Sequence, residues 1–197
     1  MEKDSLIVKQ LLLIGGSAGS LEVLIKVLPK LDILKNLSIV IVLHRANTED
    51  SQLEELIALK TSIPVEDIED KTQLKRGYIY VAPADYHLLF ERNGELSLDV
   101  SEKVHYSRPS IDVVFQSAAD AYGSGITAIL LSGANADGTD GLKAVKAAGG
   151  SILIQDPVTA EISFMPQHAL GIIEPDKVFT PEDLAQIINN LETGLDF

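Results

Sequence analysis

Residues 37–44 read LSIVIVLH, a run dominated by β-branched and other apolar residues with no alternation between a wet and a dry face. A strand of that kind is buried on both sides, which restricts it to a sheet held between two layers of helices. Three further runs share the character: LLLI at 11–14, ITAILL at 126–131 and SILI at 151–154. Helical spacing fills the gaps between them. Leu21, Leu24, Leu28 and Leu31 recur at intervals of three and four with Ser20 as an N-cap, and TDGLKAVKAAGG follows the 126–131 run. Repeated alternation of strand and helix predicts an α/β chain built on a parallel sheet covered on both faces.

The middle of the chain is less regular and leaves room for a substrate-contacting insertion. YHLLFERNGELSLDV reads as a hairpin, with Asn93-Gly94 predicting a type I′ turn between two alternating runs. In RPSIDVVFQSAADAYG, Ser110 caps a helix that Gly123 ends. MPQHALG is a short helix candidate, and TPEDLAQIINNLETG a final helix opened by a capping box at Thr180, Pro181 and Asp183. With 197 residues and no repeat, low-complexity tract or linker, residues 1–197 read as a single domain.

Charge and composition narrow the function. A net charge of −13 repels nucleic acid and anionic lipid, and Lys71, Lys75 and Arg76 lie among acidic neighbours. No nucleic-acid partner is expected. The chain has no cysteine, which removes thiol nucleophiles, disulfides and thiolate zinc sites. MEKDSLIVKQ lacks a signal-peptide core, and no apolar run approaches the roughly 18 residues that cross a bilayer. The expectation is a cytoplasmic protein without membrane insertion.

In an open parallel sheet, ligands and reacting groups gather beyond the carboxyl ends of the strands. The first strand ends in GGSAG with Ser17, the second on His44, and the 126–131 strand runs into ANADG with Asp137. A serine needs a base within reach, and an imidazole base needs an acceptor on its other nitrogen, so these three residue types match a hydrolytic triad. GGSAG also fits the G-x-S-x-G elbow. Each element has a plainer reading taken singly: a tight turn, a structural histidine, a turn aspartate. A dinucleotide site is disfavoured because serines stand at 17 and 20 where its second and third glycines belong. A calcium loop is disfavoured because Thr139 stands where a further oxygen ligand belongs, and neither metal nor cofactor is expected. His87, His105 and His168 are competing bases, His87 foremost.

Several segments in one order carry a resemblance: LLLIGGSAGSLEVL, IVIVLHR, GYIYVAPADYHLLF, RPSIDVVFQSAA, ILLSGANADGTDGL and QDPVTAEISFMPQHAL. Over roughly Gln10 to Gly171 the chain resembles the catalytic domain of the chemotaxis protein-glutamate methylesterases, the CheB family. The resemblance implies a doubly wound, three-layer α/β/α fold with an antiparallel β-hairpin. It implies hydrolysis of glutamate γ-methyl esters on chemoreceptor cytoplasmic domains, with glutamine deamidation in some members. Ser17 takes the place of the nucleophile, His44 of the general base and Asp137 of the orienting carboxylate. Backbone N–H groups at Ala18 or Ala134 would hold the oxyanion. Apart from the resemblance, a chain this acidic gains little long-range attraction to acid-rich receptor helices, so local docking contacts are expected from Arg45 and Arg108, with His87 also expected beside the substrate. Two other readings stay open at this point: a non-catalytic binding module on the same fold, and a hydrolase of small esters or amides.

The chain departs from the family pattern in three places. Ala134 and Asn135 stand where members usually carry methionine and glycine, and Ala18 where many carry threonine. Typical members also carry an N-terminal receiver domain, whereas this chain opens almost on the first strand, as a stand-alone enzyme or an excised domain would.

Overall fold

The four apolar runs lie side by side in one sheet. A computed structural model describes residues 10–44, 50–195 and 197. In chain order the first half comprises β1 (Gln10–Gly16), α1 (Ser20–Val27), β2 (Leu37–Leu43), α2 (Asp50–Lys60), β3 (Val65–Glu66), β4 (Thr72–Gln73), β5 (Ile79–Val81), β6 (His87–Phe90) and β7 (Glu95–Asp99). The second half comprises α3 (Ile111–Tyr122), β8 (Ile126–Leu130), α4 (Thr139–Ala147), β9 (Ser151–Gln155), α5 (Phe164–Leu170), β10 (Lys177–Phe179) and α6 (Leu184–Thr193).

Seven strands form a parallel sheet in the order β10-β9-β8-β1-β2-β5-β3. The chain starts in the middle at β1, winds outward through β2, and later returns to β8 on the other side of β1. Side chains of successive strand residues point to opposite faces, so two cores form. Leu12, Ile14, Ile39 and Ile41 pack with Leu24, Ile57 and Ile187 from α1, α2 and α6. Leu11, Leu13, Val40 and Val42 pack with Val114, Leu142 and Met165 from α3, α4 and α5. The result is the doubly wound, three-layer arrangement, with β1 and β8 at the point where the strand order reverses.

A second, antiparallel sheet of three strands, β4-β7-β6, packs Leu88, Phe90 and Leu96 onto the α3 side. The hairpin within it is as expected, but its turn is not type I′. Gly94 has φ 85° while Asn93 stays out of the left-handed region, and the Gly94 N–H donates to Glu91 O at 3.0 Å. The Glu91 N–H still donates to Glu95 O at 2.9 Å, and a three-residue connection such as 92–94 needs positive φ only at its last position, so the glycine alone carries the reversal. Ser110 and Gly123 bound α3 as the sequence suggests. No helix among the described residues is long and apolar enough to cross a membrane.

Candidate active site

The register of β1 against its two neighbours decides what meets at the strand ends. Gly16 pairs with Leu43, and the His44 N–H donates to Gly16 O at 3.1 Å, so the residue after β2 lies beside the residue after β1. On the other flank the Ser17 N–H donates to Ser132 O at 2.9 Å. Ser17 therefore stands between the ends of β2 and β8. Gly16 has to be glycine for space: a Cβ there would lie 2.1 Å from Ser20 Oγ. Ser20 was expected to cap α1, but Gly19, at φ 83°, holds the cap position and the Ser20 hydroxyl is buried. It donates to Ser132 O at 2.8 Å and accepts the Ser17 N–H at 3.2 Å, bracing the turn from within.

The His44 side chain is 11% exposed and its Nε2 lies 2.7 Å from Asp137 Oδ2. Asp137 is fully buried and accepts four further donors: Ser110 Oγ at 2.9 Å, Ile111 N at 2.7 Å, Asp112 N at 3.0 Å and Gly138 N at 3.1 Å. Three of those donors, Ser110, Ile111 and Asp112, are the cap and first turn of α3, so Asp137 sits on the positive end of that helix, while Gly138 is the N-cap of α4. The favour is returned: Asp112, in the first turn of α3, accepts the Gly141 N–H of α4 at 2.6 Å. Two helices that pack together thus each receive an N-terminal carboxylate from the other's approach.

Burial alone would raise the Asp137 carboxyl, but the His44 bond and the Asp112 and Ile111 amides outweigh it and bring it down to about 2. An ionised carboxylate only accepts, so Nε2 is the protonated nitrogen of His44 and its Nδ1 carries the lone pair. Asp112 goes the opposite way. Burial pushes it up to about 6, against the Gly141 bond and aided by the nearby charges of Asp137 and Asp140.

The remaining sequence candidates fall into three groups. Ala18 and Ala134 are exposed on either side of Ser17, and among the described residues neither N–H has an acceptor. Gly133, next to Ala134, packs so closely on Ser17 that a Cβ there would lie 3.1 Å from Ser17 Cβ and 2.5 Å from Met165 Cε. His87 was expected beside the substrate, but it is fully buried. Its Nδ1 accepts the Ser110 N–H at 3.2 Å and its Nε2 donates to Glu102 O at 2.9 Å, so it props the start of α3 instead. Arg108 Nη1 is likewise taken up by the carbonyls of Val100 and Ser101. Arg45 lies outside the described residues. His168 bonds Thr139 Oγ1 at 3.1 Å and stacks on Phe164.

His105, Asp112 and Asp137 each place one ligand-type atom within 4.8 Å of the others. Both Asp137 oxygens are already filled by five donors, which exhausts a carboxylate's four or so lone-pair directions, so the cluster reads as a hydrogen-bond network. Sequence reasoning missed Asp112 and the braces Ser20, Ser132 and Gln155. The Ser132 Oγ donates to Ala18 O at 2.7 Å and accepts the Ile162 N–H at 2.9 Å, and the Ser132 N–H donates to Gln155 Oε1 at 3.0 Å. The only signal was position: Ser132 and Gln155 also fall at strand ends.

Fold and site together define a doubly wound α/β domain with Ser17, His44 and Asp137 at three strand ends around its switch point and His44 in contact with Asp137. The chain belongs to the CheB methylesterase family, whose model matches residues 12–188. A Leptospira interrogans protein provisionally described as a protein-glutamate methylesterase/protein-glutamine glutaminase is 38% identical over 186 residues, covering 92% of this chain and 96% of that protein. A Halobacterium salinarum protein-glutamate methylesterase/protein-glutamine glutaminase is 33% identical over 181 residues. That match covers 90% of this chain but 52% of the relative, so the chain spans about half of its length. The crystal structure of the Thermotoga maritima CheB methylesterase catalytic domain superposes with a TM-score of 0.88 at 29% identity, covering 94% of this chain and all of that one.

Proposed function

We propose that this chain is a serine hydrolase, acting as one catalytic domain, that removes methyl groups from glutamate γ-methyl esters on chemoreceptor cytoplasmic domains. Ser17 is its nucleophile. The observation that carries the reading is the 2.7 Å contact of His44 with a buried, ionised Asp137, beside a serine raised on a braced turn. Asp137 fixes the tautomer that leaves His44 Nδ1 free to take a proton.

In this reading Ser17 Oγ attacks the ester carbonyl while Nδ1 removes its proton. The C–O bond to methoxide then breaks, and the imidazolium returns the proton so that methanol leaves. Water, deprotonated by the same nitrogen, cleaves the acyl-enzyme to glutamate and free Ser17. The unpaired N–H groups of Ala18 and Ala134 hold the oxyanion in both steps. A glutamine side chain follows the same path with ammonia as leaving group. Ser17 Oγ makes no hydrogen bond among the described residues, and closes onto Nδ1 when substrate is bound.

The test is methanol release from a methylated receptor cytoplasmic fragment. Wild-type chain releases methanol, and Ser17→Ala and His44→Ala each lower release by about 10⁴–10⁶-fold. Unchanged release by Ser17→Ala would refute the proposal.

A further inference from the structure

Asp112 is a buried carboxylate beside the site that the reaction above does not use; it is 4% exposed. Its Oδ2 lies 3.2 Å from His105 Nε2, and an Asp137 oxygen lies within 4.8 Å of both. The titratable groups facing it come from three elements: His105 from the turn before α3, Asp137 from the loop before α4, and Asp140 from α4 itself. Two carboxylates that close in a buried site do not both ionise without a compensating proton or cation.

His105 is held in place at a conformational cost. It and Tyr106 both have positive φ, 49° and 62°, in a turn closed by Val104 and Ser107, whose N–H groups each donate to the other's carbonyl at 3.2 and 2.9 Å. Side chains rarely adopt that backbone, and consecutive cases persist only where the surroundings enforce them. The turn also receives Asn135 Nδ2, at 3.5 Å from His105 O, so it leans on the same loop that delivers Asp137.

The geometry points to His105 as a positioning residue that serves as the counter-ion of Asp112, so that His44 feels the charge of Asp137 alone rather than of two carboxylates. This rests on the reading of Ser17, His44 and Asp137 as the triad. Without the His105 imidazole, Asp112 is, wherever it ionises, a second negative charge behind His44 with no cation beside it. That charge favours the protonated imidazole, which cannot accept the Ser17 proton, and the acid limb of the rate profile moves to higher pH. Across an effective dielectric of about 20, a unit charge roughly 7–10 Å away moves a titration by about one to two pH units.

The experiment compares kcat/KM for methanol release against pH in wild type, His105→Gln, Asp112→Asn and the double variant, each checked for a native melting transition. His105→Gln shifts the acid limb up by about one to two pH units. Asp112→Asn leaves the limb in place or lowers it, and the double variant stays within a few tenths of a unit of wild type. A merely structural role lowers the rate at all pH values without moving the limb, and that result overturns the proposal. So does a double variant shifted as far as His105→Gln. A readout independent of turnover is the 13C NMR titration of the Asp112 γ-carbon, whose midpoint rises by about one pH unit in His105→Gln. An unchanged midpoint refutes the ion pair. If wild type releases no methanol, the reading of function fails while the NMR titration still decides the role of His105.

Discussion

Asp137→Asn replaces an acceptor of five hydrogen bonds with a group that has one acceptor atom and one donor atom, and the structure determines which way the amide settles. With its NH2 in place of Oδ1, it faces Asp112 N and Gly138 N, and two buried N–H groups lose their acceptor. With NH2 in place of Oδ2, only the Ile111 N–H is stranded, and the other contact is His44 Nε2. One orphaned donor rather than two favours the second orientation by about 1–3 kcal/mol. His44 can then keep its bond only by accepting through Nε2, which moves its proton to Nδ1. The nitrogen that should take the Ser17 proton is blocked, and turnover falls by about 10⁴. Stability falls too, by about 2–4 kcal/mol, from the stranded N–H and the anion removed from the start of α3. The assay pairs kcat from methanol release at saturating receptor fragment with urea denaturation of the same samples. A folded Asp137→Asn enzyme that keeps a tenth of wild-type turnover refutes the tautomer argument.

Two further outcomes follow from packing and linkage. Gly16→Ala forces a Cβ to within 2.1 Å of Ser20 Oγ and 3.2 Å of Leu131 Cβ, so it costs about 2–3 kcal/mol of stability and lowers kcat by displacing Ser17; a melt and a rate indistinguishable from wild type would refute the brace. Asp112, with a carboxyl raised to about 6, contributes stability that is present below its unfolded value near 4 and lost as pH rises through about 6. Between pH 4.5 and 7.5 wild type should therefore lose about 2 kcal/mol relative to Asp112→Asn, measured as the change in urea midpoint at each pH; parallel curves would contradict the burial argument.

The long strands were legible because burial on both faces leaves a mark that needs no partner to interpret. LSIVIVLH and ITAILL can hardly be anything else, and reading along their carboxyl ends leads directly to Ser17, His44 and Asp137. The short strands were not legible. Thr72–Gln73 and Lys177–Phe179 are two and three residues long and owe their conformation to pairing with β7 and β9. Ser20 was misread because a serine at a helix start is a cap on local grounds, whereas Ser132, over a hundred residues away, claims its hydroxyl. The same holds for His87, whose place at the start of a strand says nothing of the two backbone groups that enclose it. Asp112 carried no local signal, since an acidic residue in a first helical turn is ordinary.

The departures in ANADG are explained by what the loop must do. A glycine before the aspartate offers backbone freedom, but Asn135 does not use a left-handed conformation here. Its Oδ1 accepts the Asp137 N–H at 3.1 Å, closing the turn with a side chain instead. Its amide also touches the His105 turn, so the residue that shapes the approach of Asp137 also positions the partner of Asp112. Ala134 loses nothing that a backbone donor needs, because its N–H is presented whatever its side chain. The crossed helix starts then stabilise the anion. Asp137 is held by α3 and Asp112 bonds α4, so the charge that orients His44 is supported by main-chain N–H groups whose positions are set by two packed helices. That support does not titrate with pH, and it moves only if α3 and α4 move against each other. A rigid α3–α4 contact is therefore part of what keeps the imidazole in one tautomer.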